Sequence, residues 1–236
     1  MLFRSAPLSP ALWERFVEMT DQRILERYGM TETNMNVSNP YAGERIPGSV
    51  GLPLPGVAIR ITDPETGREL PQGEVGMIEI KGPNVFKGYW RMPEKTRAEF
   101  RADGFFISGD LGFIDAKGYL RISGRGKDLI ISGGFNVYPA EVEGAIEALP
   151  GVAECAVIGV PHADFGEGVV AVVIARPGAG LVEREMQAAL AGELAKYKLP
   201  KRIYLVDALP RNAMGKVQKK DLRERHQDAF APGPVA

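Results

Sequence analysis

The spacing of apolar positions along the chain changes rhythm three times. Within residues 9–27, Leu12, Trp13, Phe16, Val17 and Met19 follow Pro10 at helical spacing, which predicts one amphipathic helix. The polar stretch YGMTETNMNVSNP at 28–40 breaks that rhythm and reads as a loop. From about Val50 to Ile122 the apolar runs become short, as in VAIRITD, VGMIEIKG, FFISGD, LGFID and YLRISG. Gly and Pro separate them, and ETG and PQG supply turns, so this region is predicted to be all-β and built of hairpins.

A third rhythm, of alternating strands and helices, follows Gly126. A strand is predicted at 129–131 and a short helix opened by proline at 139–149. VAECAVIGV and VVAVVIA read as buried strands, 182–195 as an amphipathic helix, RIYLVD (202–207) as a strand and 217–228 as a last helix. Such alternation describes a small α+β domain. Its boundary with the β region falls within SGRGKDL at 123–129, and only APGPVA at the end reads as disordered.

Composition narrows the function classes. Of 236 residues, Lys and Arg number 29 against 30 Asp and Glu, so no bulk field favours nucleic acid or a membrane surface. Basic residues do concentrate from Lys196 to Arg225, which suits a small anionic ligand or simply an exposed helix face. The longest aliphatic run, VVAVVIA, is too short to cross a bilayer, and MLFRSAPLSP lacks the apolar region of a secretory signal. Cys155 is the one cysteine, inside an apolar run, so it reads as a buried thiol; with no disulfide within the chain, a cytoplasmic setting is expected. His162 and His226 have no cysteine partners at zinc spacing.

Four stretches concentrate polar, small and aromatic residues. In YGMTETN, an exposed Tyr28 could stack a base, Gly29 allows close approach, and Thr31 and Glu32 could donate a hydroxyl and hold a cation. Thr and Glu are also ordinary loop and cap residues. In DGFFISGD, Asp110 is expected at a strand end, where it could take both hydroxyls of a ribose or begin the next turn. GRGKDLIISGGFNVYPAEVE sets Arg125 and Lys127 among glycines and then Gly133-Gly134, which fits a hinge or a plain connector. LPRNAMGK at 209–216 is an exposed loop ending in Lys216. It is no phosphate-binding P-loop: Pro210 stands where that motif needs glycine, and Val217 where it needs Ser or Thr.

Taken in order, YGMTE, SGD, GRGKDLIISGGFNVYPAEVE and PRNAMGK resemble the adenylate-forming acyl-CoA synthetases, from SAPLSP to QKKDLRE. Within that superfamily ERYGMTETNMN, GPNVFKGYWRMPEKT and GVPHADFGEGV look most like malonyl-CoA synthetases. The resemblance implies a mixed α/β and α+β fold. Residues 1–44 would be the end of a large adenylation domain, 45–123 a β-barrel-like subdomain, 124–128 a hinge, and 129–236 a small α+β lid domain. It implies ATP, Mg²⁺ and coenzyme A as cofactor and co-substrates, with a small carboxylate as the acid.

By the same resemblance Tyr28 would stack on adenine, in a pocket lined by Ser5, Ala6 and Pro7 and closely approached at Gly29. Thr31 would bond a phosphate, Glu32 would hold Mg²⁺, Asp110 would take the ribose hydroxyls, Ile122 would pack on the nucleoside, and Arg125 would reach ribose or phosphate. Lys127 would be the hinge residue and Gly133 and Gly134 the turn that pantetheine passes. Lys216 would be the catalytic lysine and a target for regulatory acetylation. The family's phosphate-binding loop has no counterpart between Met1 and Tyr28, and Arg4 stands where relatives carry a small residue. The expectation is therefore the C-terminal part of a synthetase, active with a missing N-terminal half, or else a non-catalytic module retaining nucleotide or CoA affinity.

Overall fold

The computed structural model describes Leu8 and residues 10–231. Ser5, Ala6 and Pro7 lie outside the described residues, as does the APGPVA tail beyond Ala231. The described chain divides into two compact units between Lys127 and Asp128.

In the first unit, helix α1 spans Pro10–Thr20 and ends earlier than its apolar spacing suggests. Asp21 takes a left-handed φ of 54° and donates its amide to the Val17 carbonyl at 2.7 Å, closing the last turn. The expected loop at 28–40 is instead a hairpin of β1 (Arg27–Met30) and β2 (Asn34–Ser38), with β3 (Leu52–Pro53) beside it. Few of its side chains are apolar, so the alternation that marks a strand is weak; Tyr28 and Val37 are the buried apolar pair.

Four further strands follow: β4 (Ala58–Thr62), β5 (Gly76–Lys81), β6 (Phe106–Ile114) and β7 (Leu120–Arg125). They form one antiparallel sheet in sequence order. Among the described residues no pairing joins β4 to β7, so the sheet is open rather than barrel-like. A short helix α2 (Pro93–Ala98), absent from the all-β expectation, interrupts them. PEKTRA buries no side chain, so it has no apolar stripe to announce it. Tyr28, Val37 and Val50 share one hydrophobic cluster with Ile61, Ile78, Ile80 and Leu120, joining the hairpin to the larger sheet.

Within β5 of that sheet Glu79 is wholly buried. Its Oε1 accepts from Arg101 Nε at 2.7 Å and Thr62 Oγ1 at 2.9 Å, and its Oε2 accepts from Arg60 Nε at 2.8 Å. A buried carboxylate survives here because every side is answered by a donor.

The second unit is the α+β arrangement that its rhythm predicts. Strands β8 (Ile130–Ser132), β9 (Phe135–Val137), β10 (Val152–His162), β11 (Gly166–Ala175) and β12 (Arg202–Leu205) make one sheet; β10 and β11 are antiparallel and β12 runs parallel to β11. Helices α3 (Pro139–Glu147), α4 (Glu183–Leu190) and α5 (Lys219–Arg225) pack on it. Strand side chains alternate between faces, and both faces are covered here. Val157, Val169, Ala171 and Val173 meet Val142 and Ile146 of α3 and Met186 and Leu190 of α4. Ala156, Ile158, Val160, Val170 and Val172 meet Leu209 and Leu222 of the other face. Two-sided burial is why VVAVVIA is continuously apolar. Cys155 lies in this core as a buried free thiol.

Candidate active site

The predicted residues fall into two groups, one on each unit. In the first unit Asp110 is not at a strand end but in the middle of β6, opposite Arg125 of β7. Only 5% of it is exposed. The Tyr28 hydroxyl donates to its Oδ2 at 2.6 Å, and Arg125 Nε lies 3.1 Å from its Oδ1. The Asp110 amide in turn donates to Ser108 Oγ at 3.1 Å. Burial, and then the Asp110 charge, push the Tyr28 hydroxyl above its ordinary value, so it remains the donor.

Tyr28 is thus not the exposed ring expected from the sequence: it is 7% exposed and belongs to the core cluster. The reason is the polar handle, since a buried tyrosine hydroxyl needs a partner and Asp110 supplies it. A carboxylate offers about four acceptor positions, so those Tyr28 and Arg125 leave unused remain for other hydroxyls. Ile122 packs at the edge of the same cluster, half-buried. Gly29 has a local cause as well, because a Cβ there would sit 2.1 Å from the Asn34 carbonyl oxygen.

Thr31 and Glu32 occupy the turn of the β1–β2 hairpin, with Thr31 exposed. That turn is fastened from a distant stretch: the Phe86 amide donates to the Glu32 carbonyl at 2.8 Å and Asn84 Nδ2 to the Thr33 carbonyl at 2.7 Å. The Tyr89 hydroxyl lies 3.2 Å from Glu32 Oε1 and 2.6 Å from Glu99 Oε2. Asn84, Phe86 and Tyr89 were not recognisable as site residues in the sequence, although GPNVFKGYW holds all three. Among the described residues no cluster of three metal-ligating side chains occurs. A single carboxylate such as Glu32 fits a magnesium ion that keeps waters and takes phosphate oxygens, and does not fit an all-protein cage.

Lys127 is exposed within the short 3₁₀ turn Gly126–Asp128, at the division between the units. The next residue is anchored: Arg223 of α5 donates to Asp128 Oδ1 at 3.0 Å. Gly133 and Gly134 are the two turn residues between Ser132 and Phe135, with φ of 60° and 81°. A two-residue hairpin turn with both φ positive is the type I′ turn, which strongly favours glycine. Lys216 closes a tight loop in which Arg211 pairs with Val217 across the bridge. The Asn212 amide donates to the Lys216 carbonyl at 3.0 Å, and the Asn212 Oδ1 accepts the Lys216 amide at 2.9 Å.

Asp110, held by Tyr28 and Arg125, stands on the first unit and the loop lysine on the second, and each unit carries a stretch that matches a family model. Residues 1–90 match the AMP-binding enzyme model and residues 141–216 match the AMP-binding enzyme C-terminal domain. The chain belongs to the AMP-binding enzyme family.

Among curated proteins, it is 42% identical to a probable CoA ligase, CCL8, of Humulus lupulus, over 95% of this chain and 39% of that protein. It is 40% identical to a malonate–CoA ligase of Arabidopsis thaliana, over 95% of this chain and 38% of that protein. The chain thus spans well under half the length of the curated relatives it matches. Among solved structures, ATP-bound MatB from Rhodopseudomonas palustris is 64% identical, with a TM-score of 0.93 over 96% of this chain and 45% of that one.

Proposed function

We propose that this chain carries working parts of an ATP-dependent acid–thiol ligase that converts malonate, or a related small carboxylate, to its CoA thioester. The observation that carries this reading is the Asp110 carboxylate, buried and already oriented by Tyr28 and Arg125. Asp110 would accept the two ribose hydroxyls of the nucleotide on its unused acceptor positions. Ile122 would line the nucleoside, and Tyr28 would offer the edge of its ring rather than an open face. Arg125 would balance the carboxylate and reach ribose or phosphate. By the resemblance alone, Ser5, Ala6 and Pro7 would line the adenine pocket.

A carboxylate is a poor acyl donor because its oxygen will not leave. In the first half-reaction an oxygen of the acid attacks the α-phosphorus of ATP, pyrophosphate departs, and an acyl adenylate forms. Negative charge collects on the phosphates, so positioned cations do most of the work. Lys216 would meet the charge on the phosphate side, and Thr31 would donate its hydroxyl to a phosphate oxygen. Glu32 would hold Mg²⁺, which when bound neutralises phosphate charge. In the second half-reaction the CoA thiol attacks the acyl carbon, AMP leaves, and the thiol proton passes to solvent or phosphate. The side-chain-free turn at Gly133-Gly134 would let pantetheine lie against backbone, with Lys127 the point about which the chain pivots.

The test is malonate-dependent exchange of radioactive pyrophosphate into ATP by the chain, alone and with the amino-terminal part of a relative supplied in trans. Exchange in either arm supports the ligase reading. Absence of exchange in both, with AMP or CoA binding retained by calorimetry, favours the second reading of a non-catalytic binding module.

A further inference from the structure

The loop that ends in Lys216 is held by more than its own turn. Gly215, with φ of 79°, joins Lys216 through one peptide unit, and both polar groups of that unit are taken by side chains. Its carbonyl accepts from Arg211 Nη1 at 2.8 Å. Its N–H, which belongs to Lys216, donates to Asn212 Oδ1 at 2.9 Å. The other terminal nitrogen of Arg211 is bound to both carboxylate oxygens of Glu154.

Glu154 lies outside the loop, in β10, opposite Ile174 of β11. β10 is the end strand of the sheet, paired along its length with β11, and neighbouring Cys155, Ala156 and Val157 are all buried. A guanidinium offers donors in a rigid plane, so fixing one edge on a carboxylate fixes where the other edge points. The chain of contacts therefore runs from the sheet core through Glu154 and Arg211 to the carbonyl just before Lys216. The orientation of that peptide plane sets the direction in which the lysine leaves the backbone.

We propose that Glu154 and Arg211 are positioning residues: they lock the Gly215–Lys216 peptide to strand β10 and so determine where Lys216 is presented. This rests on the reading of Lys216 as the adenylation lysine, but its test needs no turnover. Half-buried on both sides, the pair is shielded enough for the lock to hold in physiological salt.

Amide hydrogen exchange by NMR on the chain tests the lock. With Glu154→Gln, the Met214 and Lys216 amides are expected to exchange about tenfold faster, while Val172 in the sheet keeps its protection. Arg211→Lys, which keeps the charge toward Glu154 but loses the planar fork, is expected to accelerate the same two amides. Unchanged loop exchange in either variant overturns the proposal. Equal acceleration in loop and sheet overturns it too, since the pair would then serve only general stability. Failure of malonate-dependent exchange by the wild-type chain both alone and with the amino-terminal part supplied would count against the catalytic reading of Lys216 and leave the amide result standing.

Discussion

Asp110 is held by side chains that arrive from far along the chain, whereas Lys216 is held by its own loop and one strand. Tyr28 reaches Asp110 across 82 residues, and Arg125 reaches it through strand register. Tyr28 belongs to the core cluster and Arg125 to the strand beside β6, so the carboxylate cannot shift without moving the sheet. Lys216, by contrast, ends a short loop whose hydrogen bonds are mostly internal, between Arg211, Asn212 and Gly215. The first arrangement suits a group that must be in one place throughout the reaction. The second suits a group whose backbone must be ordered while its cation serves only one half-reaction. One site is fixed by tertiary structure, the other by turn chemistry.

The largest expected effect separates these roles directly. Lys216→Ala should lower acid-dependent ATP–pyrophosphate exchange by about a hundredfold or more, the usual loss of a preorganised transition-state contact, and spare thioester formation from supplied acyl adenylate. Equal loss of both half-reactions would break the comparison, because Lys216 would then serve the whole cycle.

On the scaffold side, Glu79→Ala should destabilise the first unit by about 3 kcal/mol in urea unfolding, at the low end for a broken buried pair because Arg60 and Arg101 reach solvent. The second unit, which Glu79 does not touch, should not respond. Tyr28→Phe is expected to cost about 2 kcal/mol, since it strips a donor from a buried carboxylate, and to weaken AMP binding in the same titration. An unaltered AMP affinity would mean that Asp110 needs no orientation by Tyr28.

Smaller effects belong to the second unit. Gly134→Ala should cost about 1 kcal/mol from its positive φ alone, because nothing lies within 4 Å of the added methyl group. The least effect is a pH dependence from His226, whose value burial holds below its ordinary 6.5. The folded state therefore resists protonation, so its stability is complete above pH 6.5 and falls as pH drops through that value. His226→Asn should flatten that part of the thermal-melting profile.

Legibility in the sequence followed the same division. PAEVEGAIEAL, VVAVVIA and RIYLVD announced their elements because apolar period, proline and length agreed, and the structure has α3, β11 and β12 there. LPRNAMGK was legible as a turn because its partners are sequence neighbours. YGMTETN was not legible as a hairpin, since what secures it is Asn84 and Phe86 some fifty residues away. Nor could Glu154 be connected with Lys216: one is an ordinary charged position on an edge of a strand until the fold brings Arg211 against it. Family resemblance supplied Asp110, but its burial and its two partners are products of register. Long-range hydrogen bonds leave no periodic trace.

Cys155 has a practical consequence. It is the chain's one cysteine, and burial pushes its thiol above the ordinary value, so it stays protonated and unreactive toward maleimides at neutral pH. The folded protein is therefore expected to take up little thiol dye as it stands. Met214, two residues before Lys216, is well exposed. A fluorophore on Met214→Cys would report the loop's motion against a dark background, with no native thiol to remove first.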